Sequence, residues 1–333
     1  MSGFVRSAPP EYGGKSLINW LAEAEKNQGD VEEFGAAIKG MGVRAVPHIL
    51  NYAADRESFA ERAYREIWSR APNSIQVHLA FPGTGHRGNE YGKEHQRISV
   101  AVAALCSLGP DALPLLVKGL QHTNPVYRAV CADSVRELSE EGFDATESIP
   151  VLAGALDDSD AFVRMYAAKA LGSMGPSAEL AVPRLIRLLN VNDEVTRYPG
   201  LPAPVRSVTA EALGKIGLSA SDAVSDLSRM ATHPGLNLSV PAEIALFRIR
   251  GAEGDSVSRL VKKWRAIRGI QQFDRYRVQI VQIFGDIGPA AEPARQIIME
   301  SLNSHDESLR RVAEQALKLI DQEKEFILLE GRN

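Results

Sequence analysis

Between residues 163 and 176 the apolar positions are Val163, Tyr166, Ala167, Ala170, Leu171 and Met174, the spacing of one helix face. Gly175 and Pro176 follow, a left-handed cap and a residue that cannot continue the helix. A second apolar run, Leu185, Ile186, Leu188 and Leu189, sits just behind Pro183, and proline is tolerated in a first helical turn because its missing N–H has no helical partner there. Asp158, Ser159 and Asp160 precede the first run and are candidate N-caps. The pattern predicts a helix–turn–helix unit with a long first helix and a short second one.

The unit recurs. Val163–Gly175 and Val205–Gly217 share the Val-Arg pair, the alanines, Leu-Gly and the closing glycine. Ala103–Pro110 and Val281–Pro289 repeat the second half of the motif, and Leu309–Ile320 repeats the first. The anchors Gly42, Gly109, Gly175, Gly217, Gly251 and Gly288 are separated by 67, 66, 42, 34 and 37 residues. The first two gaps are near twice the shorter period, so each holds one degenerate copy, around Ser58–Phe81 and Pro125–Leu156. With the last copy this makes about eight repeats. Prolines 47, 114, 150, 183 and 293 fall near the start of second helices.

The unit Val-Pro-x-Leu-x-x-Leu-Leu, then Asp-x-x-x-Val-Arg-x-x-Ala-Ala-x-Ala-Leu-Gly-x-x-Gly, resembles the HEAT repeat. It is most similar to the short type known from phycobilisome lyases. The stretch Gly14–Leu21 resembles the lead helix of uncharacterised bacterial HEAT-repeat proteins. The resemblance implies an all-α fold, a right-handed α-solenoid of the armadillo/HEAT kind built from about eight helical hairpins. The expected organisation is a flexible lead-in over 1–14, one solenoid domain over 15–322 and a C-terminal tail over 323–333. The copies around Ser58–Phe81 and Val240–Arg268 follow the motif least well.

Composition changes this picture in two respects. Aromatics are 6% of the residues, as expected of thin layers of Ala, Leu and Gly that large rings would wedge apart. The net charge is −4 at a pI near 6.0, which argues against a nucleic-acid binder acting through overall charge. That charge is unevenly placed: residues 1–150 carry 15 Lys+Arg and 19 Asp+Glu, whereas residues 151–333 carry 23 of each. No apolar run is long enough for a transmembrane helix. The N-terminus lacks the apolar core of a secretory signal, so the expectation is a cytoplasmic protein, or an exported one if a leader preceded Met1.

Catalytic patterns are missing from the sequence. None of the seven histidines is followed by Glu, and HExxH, Cys-x-x-Cys, Walker A and GxSxG do not occur. Gly83–Gly88 superficially resembles a phosphate loop and Gly13–Ser16 contains Gly-Lys-Ser, but neither has a strand–loop–helix setting. His78, His86 and His95, with Glu90 and Glu94, read better as solvated loop residues than as a zinc site. Cys106 and Cys131 read as buried unpaired residues. Arg128, Arg164, Arg206, Arg277 and Arg310 recur near the start of first helices. Inter-repeat salt bridging or carbonyl capping is expected of them in preference to an anion-binding ladder.

The candidate surface therefore lies where the chain departs from the repeat. Residues 81–95 (with Arg87, Tyr91 and Lys93), 190–204 (with Arg197 and Tyr198) and 232–241 are expected to be inter-repeat loops on one edge. A basic stretch holds Arg259, Lys262, Lys263, Trp264, Arg265, Arg268, Arg275, Tyr276 and Arg277, with Phe273 among them. The expectation is a non-catalytic, protein-binding scaffold, with no cofactor, that displays a concave face of second-helix side chains and an edge of inter-repeat loops to an unidentified partner of acidic character. The alternatives are a bilin lyase or isomerase-like activity, implied by the repeat type, and nucleic-acid or phosphate binding through residues 259–277.

Overall fold

The computed structural model describes residues 8–26, 30–54, 87–191 and 205–330; side chains are described outside 87–96 and 322–330. The fold is an all-α solenoid with one short β-hairpin at its start. Contacts divide the chain into two units, Met1–Ala155 and Leu156–Asn333.

In the first unit, β1 (Glu11–Tyr12) and β2 (Lys15–Ser16) pair antiparallel. Gly13 and Gly14 both have positive φ, 60° and 77°, which a two-residue hairpin turn requires. The lead-in expected over 1–14 is therefore ordered from this hairpin onward. Trp20 holds it in place, donating from Nε1 to the Tyr12 carbonyl at 3.4 Å, with the Lys15 ammonium 3.7 Å from the ring centroid. The helices are α1 (Leu17–Glu25), α2 (Val31–Met41), α3 (Val46–Ala54), α4 (Arg87–Ser107), α5 (Leu113–Gly119), α6 (Pro125–Glu140) and α7 (Ile149–Ala155). Those of the second unit are α8 (Ala161–Ser173), α9 (Val182–Leu189), α10 (Val205–Ile216), α11 (Val224–Ala231), α12 (Leu236–Arg250), α13 (Ser256–Ile267), α14 (Asp274–Ile287), α15 (Arg295–Leu302) and α16 (Glu307–Glu330). Residues 323–330, expected within the tail, continue α16.

The repeat chemistry works as its residue types dictate. All six glycine anchors have positive φ, between 58° at Gly175 and 78° at Gly251. Only glycine enters that region without strain, so each ends its first helix. Asp160 caps α8 by accepting from the Phe162 and Val163 amides at 2.9 and 3.3 Å. Asn124 and Asp306 do the same for α6 and α16.

First helices of neighbouring repeats touch through glycine. A Cβ built on Gly172 of α8 would lie 2.8 Å from the Ala212 Cα of α10. One on Gly214 would lie 2.8 Å from the Ala245 Cα of α12, and one on Gly285 of α14 would lie 3.0 Å from the Ala316 Cα of α16. Between these joints lie fully buried residues such as Ala167, Thr209 and Leu213.

Candidate partner-binding face

The recurring arginines are structural. Arg128 donates from Nη1 to the His122 and Thr123 carbonyls at 2.8 and 3.0 Å. Arg164 does so to Asp158 and Ser159 at 2.6 and 3.1 Å, and Arg310 to Ser304 and His305 at 2.7 and 3.1 Å. Arg206 donates from Nε to the Leu189 carbonyl at 2.7 Å. Each planar guanidinium ties its helix to the preceding second helix or the turn after it. Arg277 departs from the pattern and pairs with Asp274.

The basic stretch divides by register. On α13, Leu260, Trp264 and Ile267 point into a core shared with Phe273, Tyr276, Ile280 and Phe284. Trp264 is 3% exposed and Tyr276 4%, so both expected partner contacts are corrected to core residues. The physical reason is spacing: Trp264 lies four residues past Leu260, on the same helix face. Arg277 is mostly buried against Asp274.

Lys262, Arg265, Arg268 and Arg275 are exposed. Arg268 reaches Glu300 at 3.3 Å, and Arg275 reaches Glu211 at 2.6 Å. Among the described residues, no hydrogen bond or ion pair holds Lys262 or Arg265. Lys263 is half-buried and donates to the Ala231 carbonyl at 2.9 Å, and burial lowers its pKa. Arg259 reaches the 3% exposed Glu243 at 2.7 Å and also pairs with Asp255.

Beside this face lies a buried polar knot that the motifs did not reveal. The Tyr276 hydroxyl donates to Glu211 at 2.6 Å, lies 3.2 Å from Ser207 Oγ and accepts from Arg275 at 2.7 Å. Burial, then the Glu211 charge, pushes its pKa up to about 12. Arg248, whose pKa burial lowers, donates to Gln279 at 3.3 Å.

The expected edge loops fare differently. Arg87, Tyr91 and Lys93 fall in α4, so the loop expected over 81–95 is helical from Arg87; their side chains lie outside the described residues. Arg197 and Tyr198, the copy around Ser58–Phe81, and His78, His86 and the Gly83–Gly88 glycines up to residue 86 also lie outside them. In the segment 232–241 only the turn precedes α12, which begins at Leu236 and contains Pro241. Both cysteines are free, with Cys131 buried and Cys106 half-buried; burial pushes each thiol up to about 12. Among the described residues there is no cluster of metal-ligating side chains, and no single helix is long and apolar enough to cross a membrane.

Comparison with known families matches residues 113–199 to HEAT repeats. Among solved structures, the chain is similar to the CpcE–CpcF complex of phycocyanin lyase from Nostoc sp. PCC7120. The identity is 24% over 66% of this chain and 81% of that one, with a TM-score of 0.50. It is also similar to Kap121p, at 14% identity over 92% of this chain and 31% of that one, with a TM-score of 0.48. Comparison with curated proteins returns no match.

Proposed function

We propose that this HEAT-repeat protein is a non-catalytic scaffold that binds another protein through the outward face of its second helices, centred on α13. The observation that carries this reading is the division of α13. Leu260, Trp264 and Ile267 lock one face into the core, and Lys262 and Arg265 stand on the other without described partners. A rigid helix presenting unpaired cations favours an acidic partner surface and the rate at which it is found.

The test is capture from the source cells with the wild-type chain and with Lys262→Glu/Arg265→Glu. A single protein retained by the wild type and lost by the variant, with helical circular dichroism unchanged, supports the reading. Equal retention by both overturns it. The likeness to a phycocyanin lyase motivates a second reading, lyase-like handling of a bilin. That reading expects coloured material on the purified chain or on its captured partner.

A further inference from the structure

The exposed cations on α13 are the end of a longer row. The fully buried leucines Leu185 of α9, Leu227 of α11 and Leu260 of α13 occupy the same register in their helices. Two residues past each stands a cation: Arg187, Arg229 and Lys262. All three are exposed, with Arg187 60% and Arg229 65% accessible at the side chain. In the next second helix, α15, the same position beyond Ile298 is Glu300, which ends the row.

Direct bonds show that the three helices lie side by side. Asn190 at the end of α9 donates to Asp226 of α11 at 3.1 Å and accepts from Arg229 at 2.7 Å. Lys263 of α13 reaches the Ala231 carbonyl of α11. Compensation along the row stops at Lys262. Arg187 has Asp157 at 3.6 Å, Arg229 has Asp226, and Lys262 has no acid among the described residues. Arg265, one turn further on, adds a second uncompensated charge at that end.

Resting on the scaffold reading, we infer that Arg187, Arg229 and Lys262 form a ladder for one extended acidic segment of a partner protein, running across α9, α11 and α13. Adjacent packed helices stand roughly 8–10 Å apart. A chain extended as polyproline II advances about 3.1 Å per residue with three residues per turn, so side chains three residues apart share one face, about 9 Å apart, and match one rung each. The partner segment therefore carries Asp or Glu at every third position, with its strongest contact at Lys262. The acids interleaved along the ladder, Asp157 and Asp226, disfavour a continuous polyphosphate, so a protein carboxylate row fits better than a nucleic-acid backbone.

The test uses the full chain at low salt and fluorescein-labelled twelve-residue peptides of equal composition. One peptide spaces three aspartates at every third position, another clusters them, and a single-stranded oligonucleotide serves as a third probe. The spaced peptide is expected to bind several-fold more tightly than the clustered one. Arg187→Gln, Arg229→Gln and Lys262→Gln are each expected to weaken it by about two- to five-fold. Equal binding of spaced and clustered peptides, or indifference to Arg187 and Arg229, overturns the ladder. Tighter binding of the oligonucleotide than of either peptide overturns it as well. Capture of a protein that depends on Lys262 and Arg265 but not on Arg187 or Arg229 overturns the ladder alone and leaves the scaffold reading standing.

Discussion

The second unit contains two versions of the same repeat. In α8–α11, core positions carry small or apolar residues: Ala167 and Thr209 eight residues before the anchor glycine, Gly172 and Gly214 three before it, and Leu188 and Met230 on the second helices. In α12–α13 the equivalent positions are Glu243, Arg248 and Lys263. The consequences show in the packing. Glycine joints hold α8 against α10, α10 against α12 and α14 against α16. At α12 the glycine position is Arg248, and α12 meets α14 only sparsely. The wider joint is filled by Arg248, Gln279 and the Tyr276–Glu211–Arg275 knot, which bridges α10 to α14 past α12. This repeat tolerates the charged groups Glu243, Arg248 and Lys263 because each is given a partner, and the partners relax the register that small residues impose elsewhere.

The sharpest test compares one register position in both versions. Arg184 of α9 and Arg259 of α13 each precede the core leucine by one residue. Arg184 meets Asp157 at 3.6 Å in solvent, so Arg184→Ala is expected to cost less than about 0.5 kcal/mol. Arg259→Ala strands the buried Glu243 and is expected to cost about 3 kcal/mol. Adding Glu243→Met to Arg259→Ala recovers most of it. Urea unfolding, with hydrogen exchange followed in α12 and α13, separates the two. Similar losses at both sites would mean that Glu243 is not stranded.

The next effect is steric. Gly214→Ala places a methyl group 2.8 Å from the Ala245 Cα, which a backbone atom can relieve only by moving α10 from α12. About 1–3 kcal/mol is expected, as for overpacking in general. Arg248→Ala at the corresponding position removes a bond to Gln279 and stem packing, so about 1 kcal/mol is expected. Thermal midpoints of the two variants rank them, and a larger loss at Arg248 than at Gly214 contradicts the packing argument.

How much of this could be read from the sequence follows the same division. The glycine anchors, the caps at Asn124, Asp160 and Asp306, and the carbonyl contacts of Arg128, Arg164 and Arg310 are local, because each acts within a few residues of itself; Arg206 instead reaches back 17 residues to Leu189. Where the motif is strong, position in the repeat equals position in the core. In α12–α13 the motif is weak, and a count of nearby charges concealed that Trp264 shares a face with Leu260. Tyr276 was misplaced for a related reason: its partners Ser207 and Glu211 lie more than sixty residues away, beyond any local spacing rule. The register of Arg187, Arg229 and Lys262, each two residues past Leu185, Leu227 or Leu260, is legible in the sequence as well.

The polar knot sets a pH dependence confined to α10–α14. The Tyr276 phenol is held neutral up to about 12, first by burial and then by Glu211, against an ordinary value near 10 when unfolded. Its contribution is complete below the unfolded value and is lost as pH rises through the folded one. Stability is therefore expected to fall between about pH 10 and 12, beyond what exposed groups cause. Tyr276→Phe costs about 1 kcal/mol at neutral pH and flattens that window. Phenolate absorbance of the native chain, wild type against Tyr276→Phe, shows whether this tyrosine ionises late.

The smallest expected effect bears on why the capping cation is arginine. Arg164 bridges two carbonyls, whereas Arg277 meets one carboxylate on its own helix, three residues back. A lysine ammonium replaces a single charged contact well but cannot reproduce a planar two-acceptor bridge. Arg164→Lys is therefore expected to lose about 0.5 kcal/mol, roughly 1–2 °C in thermal midpoint for a unit of this size, and Arg277→Lys close to nothing. Equal losses would mean that charge near the helix start, and not the bridge to the preceding turn, is what the repeat uses at this position. The regular and irregular repeats would then differ in their cores but not in how their first helices are fastened.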